Sequence, residues 1–244
     1  MSLKFPISLA GKREAADLPT FGSASRDFVL GNYINMGDVD GTAWQGANKQ
    51  FSVSCWAKMT GGDAFRVLTG KLGSSQLEWV FGSLANGAIR FVAYGSLTAT
   101  SYVFADTPTG TMNTTWKHFT ATFDGTQADA DKIKVYVDGS LPTLSNTTIG
   151  TNIQIQNSTA GLNIGSQEGS FNRFVGNIAD VRIYEKVLSA SEITDLAAGT
   201  DVQDSLIGWW ITDIDDGTTI IPDYAGGLGD GTNTGSTYDT DSPL

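Results

Sequence analysis

From Phe51 onward, apolar and polar positions alternate: Phe51, Val53, Cys55 and Ala57 take one parity, and Ser52, Ser54, Trp56 and Lys58 the other. A period of two sends successive side chains to opposite faces of a sheet, so the stretch predicts a strand with one buried face. Phe119, Ala121 and Phe123 alternate in the same way with His118, Thr120 and Thr122. Ile133, Val135 and Val137 alternate with Lys132, Lys134 and Tyr136 before a turn at Asp138-Gly139. Further β-like runs lie at 65–69, 77–81, 88–94, 98–104, 162–164, 175–184 and 206–211, broken at short intervals by Gly, Asn, Asp and Ser. Many short strands with this punctuation predict an all-β fold, an antiparallel sandwich or barrel.

One segment departs from this period. Ser189 and Glu192 form an S-x-x-E capping box, Leu188 and Ile193 occupy the staple positions on either side of the cap, and Gly199 supplies the stop. The helix this predicts, near residues 190–198, spans only about two and a half turns at 3.6 residues each and is too short to be stable alone. Ile193 and Leu196 are therefore expected to dock it on the sandwich. Residues 1–27 show no periodicity and are read as an N-terminal arm laid on a neighbour, leaving 28–244 as one domain. The Asp/Gly/Thr-rich stretch from Asp213 to Leu244 is too polar for a core of its own and is read as loops returning over that domain.

Composition narrows the function more than the fold. Fifteen Lys and Arg against 26 Asp and Glu give a formal net charge of −11 over 244 residues, which repels phosphate backbones and disfavours nucleic acid. No apolar run approaches the ~20 residues that span a bilayer, so membrane insertion is not expected. The single cysteine, Cys55, excludes an intramolecular disulfide framework and Cys-cluster metal sites, so any metal is held by oxygen. Residues 1–11 lack the continuous apolar region of a signal peptide, and export by the usual secretory route is not expected. On that ground the sequons at Asn113, Asn146 and Asn157 are read as turn segments.

The order of motifs resembles the concanavalin A-like lectin/glucanase superfamily, in particular its laminin-G-like and pentraxin-like jelly rolls. The residues that carry the resemblance are Phe51-Ser-Val-Ser-Cys-Trp-Ala, Trp116-Lys-His-Phe-Thr-Ala-Thr-Phe-Asp-Gly, Lys134-Val-Tyr-Val-Asp-Gly, Leu162-Asn-Ile-Gly, and Phe174-Val-Gly-Asn-Ile-Ala-Asp-Val-Arg-Ile-Tyr followed by Leu188-Ser-Ala-Ser-Glu-Ile. The stretch from Trp210 through Asp215 to Asp223-Tyr-Ala-Gly-Gly is also similar to a segment of this superfamily. The resemblance implies a two-sheet antiparallel jelly-roll sandwich used for sugar binding, protein adhesion or structural support.

Catalysis finds no support. Glycosidases need paired carboxylates, in this superfamily on one strand as E-x-D-x-x-E, and Glu14, Glu78, Glu168, Glu185 and Glu192 show no such spacing. His118, the single histidine, lacks a G-x-S-x-G elbow and reads as a polar sheet-face residue. Calcium suits carboxylates and loop carbonyls, and laminin-G-like domains often hold one ion; the candidate ligands are Asp38, Asp40, Asp215 and Asp223, with Asp124, Asp129 and Asp131 as a further group. Sugar recognition uses aromatic faces beside hydrogen-bonding side chains. Trp56 and Trp116 belong to framework motifs, Trp44, Tyr102 and Tyr136 are also available, and Trp79 and Tyr94 are the residues chosen as carbohydrate-binding candidates.

The leading expectation is a non-catalytic, lectin-like virion surface protein, a phage capsid decoration or fibre-type subunit. It would stabilise the particle through neighbouring capsid subunits, as a homo-oligomer or not, or bind cell-surface glycans, or do both. The alternative is a free carbohydrate-binding lectin module of a bacterium, calcium-dependent and extracellular by a non-classical route. A glycoside hydrolase is a third reading for which no carboxylate pair can be named.

Overall fold

The structure is a computed structural model that describes residues 25–168, 171–212 and 219–244. Two antiparallel sheets face each other across one large apolar core. In spatial order the seven-stranded sheet runs Thr237–Asp239 (β16), Ser25–Phe28 (β1), Phe174–Tyr184 (β12), Gln50–Gly62 (β3), Lys117–Asp124 (β8) and Ile133–Val137 (β9), and Leu206–Trp210 (β13) pairs with the far half of β12. The nine-stranded sheet runs Ser145–Ile149 (β10), Tyr102–Asp106 (β7), Ile89–Tyr94 (β6), Gln76–Leu84 (β5), Phe65–Gly73 (β4), Leu162–Ile164 (β11), Tyr33–Asn35 (β2), Gly231–Thr234 (β15) and Ile220–Ile221 (β14). This is the two-sheet antiparallel sandwich that the resemblance implies, one of the two all-β architectures that the alternation allows.

Parity in the strands decides what fills the space between the sheets. Phe51, Val53, Cys55 and Ala57 of β3, Phe119, Ala121 and Phe123 of β8, and Phe91 and Ala93 of β6 are all buried in the central core. Trp44, Phe51, Trp79 and Phe91 form its aromatic centre, with Trp79 and Phe91 stacked at 6.0 Å and Trp44 set edge-on to Trp79 at 5.7 Å. Such offset and edge contacts suit the quadrupoles of the rings. Burial also pushes the Cys55 thiol pKa up, so Cys55 behaves as a small apolar side chain.

The helix Ala190–Ala197 (α1) forms where the capping box places it: Ser189 Oγ accepts the Glu192 N–H, and the Glu192 carboxylate accepts the Ser189 N–H. Ile193 and Leu196 are buried with Leu188, Tyr184, Leu206 and Trp209 in a second apolar cluster on the outer side of the seven-stranded sheet.

The C-terminal stretch read as loops forms strands in its described part. β14 and β15 extend the nine-stranded sheet, and β16 edges the seven-stranded one on β1. The chain thus crosses between the sheets twice side by side, from β1 to β2 and back from β15 to β16. Edge strands need backbone partners rather than an apolar stripe, which is why the polar sequence concealed them. The tail is further fixed where Asp241 pairs with Lys58, accepts the Trp116 indole N–H at 2.8 Å and, at its backbone carbonyl, accepts the Ser25 hydroxyl at 2.7 Å. Of the expected arm, residues 1–24 lie outside the described residues, and residues 25–27 are part of β1.

Candidate functional site

The outward face of the nine-stranded sheet is apolar where a solvated face would be polar. Ile89, Phe91, Ala93, Val103 and Ala105 point into the core, so Arg90, Val92 and Tyr94 of β6 and Tyr102, Phe104 and Asp106 of β7 share the opposite face. The register aligns them in rows. Ile149, Tyr102 and Tyr94 lie side by side across β10, β7 and β6; Thr147, Phe104, Val92 and Val80 form the next row, and Asp106, Arg90 and Gly82 the third. Val67, Leu72, Val80 and Val92 are buried beneath the rings, while Tyr94, Tyr102 and Phe104 remain half-buried and Ile149 is 43% exposed.

The rings form a continuous platform, Tyr94 to Tyr102 at 6.0 Å and Tyr102 to Phe104 at 6.2 Å, the second pair nearly parallel at 20°. Arg90 closes one end, its guanidinium 3.8 Å above the Phe104 ring and donating two hydrogen bonds of 2.7 Å to the Asp106 carboxylate. The pair places fixed polar atoms beside the aromatic row and cancels its own charge. Burial pushes the Tyr94 phenol pKa up, and the nearby Arg90 opposes that shift. Gly82 is required in the third row, because a Cβ there would lie 2.3 Å from the Arg66 carbonyl at the β4 bulge. The face therefore offers stacking surface and hydrogen-bonding groups together, the combination that pyranose rings match.

Of the two sequence-chosen aromatics, the structure keeps one on this face. Trp79 is fully buried in the core, packed on Trp44, Phe51 and Phe91, and has no surface for a ligand; its assignment as a stacking platform is corrected. Tyr94 lies on the aromatic face, at the end of the ring row opposite Phe104. Phe104, Arg90 and Asp106 were missed, although their signal was present: in 89–94 and 102–106 both parities carry large side chains, and only one parity can face the core.

Asp38 and Asp40 come together at a surface recess of about 240 Å³ lined also by Val39, Gly41, Gln45 and Asn157. Asp38 pairs with the buried Lys71 at 2.9 Å, and Asp40 caps the Thr42 N–H. Below the recess, Lys71 Nζ donates to Glu78 at 2.6 Å and to the Ser158 carbonyl at 2.9 Å. Glu78 also accepts from the Trp44 indole, Gln45 and Ser158, which ties two loops to the sheet and occupies both of its oxygens.

Asp223 is elsewhere, with its carboxylate accepting the backbone N–H groups of Trp209, Ala225, Leu228 and Gly229. Burial pushes the Asp223 pKa up, and these backbone donors oppose the shift. Asp215 lies outside the described residues. Asp124 bonds Gln50, Thr126 and Gln127, while Asp129 bonds Lys132 and the amides of Asn152 and Ile153. No group of three or more His, Cys, Asp or Glu gathers for a metal among the described residues. No helix among them is long and apolar enough to cross a membrane.

Comparison with known proteins agrees with the sandwich. The family of concanavalin A-like lectins and glucanases, in its laminin-G form, matches residues 31–194. The chain belongs to this superfamily. A search of the curated proteins finds no match. Among solved structures, a Bacteroides ovatus protein to which carbohydrate binding is ascribed superposes with a TM-score of 0.67 at 16% identity, over 91% of this chain and 62% of its own. This superfamily member thus spans less than two thirds of that relative's length. The heptameric SAP-like pentraxin of Limulus polyphemus superposes at 0.53 with 13% identity, over 89% of this chain and 94% of the pentraxin. At these identities the likeness shows a shared lectin-like fold.

Proposed function

We propose that this protein is a non-catalytic carbohydrate-binding module that takes glycans on the outward face of its nine-stranded sheet. The observation that carries the reading is the half-buried row of Tyr94, Tyr102 and Phe104, with the Arg90–Asp106 pair at its end. Aromatic faces stack on the apolar faces of sugar rings, and the neighbouring guanidinium and carboxylate supply directional bonds to hydroxyls. The carbohydrate binding ascribed to the Bacteroides ovatus relative supports the reading. Glu78, the one fully buried glutamate among the described residues, is saturated by its own donors, which supports a binding role over hydrolysis.

The test is a glycan array followed by titration of the retained sugars against the wild-type chain and Tyr102→Ala. Saturable binding lost in the variant supports the assignment; binding unchanged by the substitution moves it off this face. Calcium dependence belongs to the same proposal, through Asp38 and Asp40, and is read by repeating the titration in EDTA. The finer reading places the module on a virion, as a phage capsid decoration or fibre-type subunit beside capsid neighbours. Its support is the adhesion-type sandwich combined with the unpatterned N-terminal segment. Cosedimentation with a major shell protein in fixed ratio is the expected result, and a chain found only free in solution favours the bacterial lectin.

A further inference from the structure

Five buried side-chain polar atoms that have no hydrogen-bond partner in the protein sit together on two neighbouring strands. They are Ser54 Oγ and Trp56 Nε1 on β3, and His118 Nδ1, His118 Nε2 and Thr120 Oγ1 on β8. Register sets Ser54 directly opposite Thr120 and Trp56 directly opposite His118. Their neighbours Val53, Cys55, Phe119 and Ala121 fill the central core, so all four polar residues lie on the outer face of the seven-stranded sheet, where α1 packs. None of the four is more than 7% exposed, and the Trp56 and His118 rings meet edge-on at 5.2 Å. Buried polar groups in native proteins are almost always paired, so a contiguous group of unpaired ones points to a bound partner.

We propose that the seam between Ser54, Trp56, His118 and Thr120 is an internal hydration site, where ordered water bridges the side chains of β3 and β8. The chemistry of the lining selects water. An indole N–H only donates, a neutral imidazole donates from one nitrogen and accepts at the other, and the two hydroxyls do both. A molecule that itself donates and accepts meets all of them, whereas an anion leaves the imidazole acceptor unmet.

The surrounding charge also disfavours an anion. Arg182 of β12, opposite Ser54, is held by Asp180 and Asp201, which sets two carboxylates against one guanidinium. Asp138, which accepts the His118 backbone N–H, is paired with Lys117, and Lys58, of the same parity as Trp56 on β3, is paired with Asp241. Burial first, and Arg182 second, hold the His118 pKa down at about 3, so the ring is neutral near pH 7 and keeps one accepting nitrogen for a water hydrogen. Bridging waters of this kind satisfy two to four polar groups each and form part of a fold's structure.

Two measurements on the full chain test the site. In the first, water-to-protein cross-relaxation is recorded at the Trp56 indole proton; a contact of the sign that distinguishes long-lived bound water from rapidly exchanging surface hydration is expected. In the second, a high-resolution crystal structure is expected to show ordered water within hydrogen-bond distance of His118 and of one or more of Ser54, Trp56 and Thr120. A seam in which Ser54 bonds Thr120 directly, or His118 bonds a protein group, with no long-lived water at the indole, overturns the proposal. The double variant Ser54→Ala, Thr120→Val is expected to lose the long-lived signal at Trp56, and an unchanged signal overturns the assignment of water to this seam.

Discussion

The outer faces of the two sheets start from the same pattern and end in opposite states. On the seven-stranded sheet, α1 and the loop before β13 cover the face, and Tyr184, Leu188, Ile193, Leu196 and Trp209 close over it as a second core. Even its charges are buried: Asp180 accepts the Trp209 indole N–H at 2.6 Å and bonds Arg182, whose guanidinium stacks 4.3 Å from the Trp209 ring. On the nine-stranded sheet, an arginine–carboxylate pair also lies beside an aromatic ring, but Arg90 is 27% and Asp106 16% exposed and the rings stay half-open. The same three side-chain types thus serve stability on one face and present a surface on the other. Cover decides which, because desolvation turns an ion pair from a weak surface contact into one whose breakage strands a buried charge.

Arg182→Met breaks the comparison hardest. It leaves Asp180 buried without its cation, and a loss of about 3–5 kcal/mol in urea unfolding is expected, as for other broken buried pairs. The matching change on the open face, Arg90→Met, should cost no more than about 1 kcal/mol. Equal losses from the two substitutions would remove the distinction between the faces.

A pH titration probes the covered face through His118, whose ring is neutral in the fold down to about pH 3 and titrates near 6.5 when unfolded. The unfolded chain therefore binds the additional proton, so this contribution is complete above pH 6.5 and is lost as pH falls from 6.5 towards 3. At about 1.36 kcal/mol per pH unit, roughly 2 kcal/mol is lost by pH 5. Comparing unfolding free energies of the wild type and His118→Phe between pH 7 and 5 reads this directly, and the variant should show the shallower slope.

On the open face, Tyr102→Ala should weaken glycan binding about tenfold or more, equivalent to ~1.4 kcal/mol, with a smaller effect on thermal unfolding. A variant that unfolds readily while still binding would give Tyr102 the role of a core residue instead. A similarly small effect is expected at the helix on the covered face. Ser189→Ala removes one side of the capping box and should cost about 1 kcal/mol, read as faster amide exchange in α1.

Much of this architecture is legible in the chain because its signals are local. Alternation in 51–57, 119–123 and 133–137 and the Ser189/Glu192 box depend only on neighbours in sequence, and those elements form where the pattern puts them. Strand β10, with Ser145 to Ile149 mostly polar, and the tail strands β14 to β16 carry little such signal, because backbone pairing holds them at or near sheet edges. The candidate site divides along the same line. Tyr94 could be chosen for its chemistry, but Trp79 offered the same chemistry and differs only in the side of the sheet it faces. Likewise His118 has the parity of a solvated face and is buried because a distant helix and loop pack over that sheet.

The sequence by itself determined an acidic all-β chain with a capped helix at 190–197 and a thiol on the apolar parity of its strand, since periodicity, caps and composition act within a few residues, and its order of motifs carried the resemblance to the superfamily that the family match shows. Tertiary structure alone decided which outer face closes into a second core and which remains an aromatic surface. It also set two acidic candidates, Asp38 and Asp40, around one recess and turned Asp223 into a backbone latch. Those outcomes depend on contacts between segments far apart in the chain, and period-two patterning assigns a residue to a face without saying what will cover it.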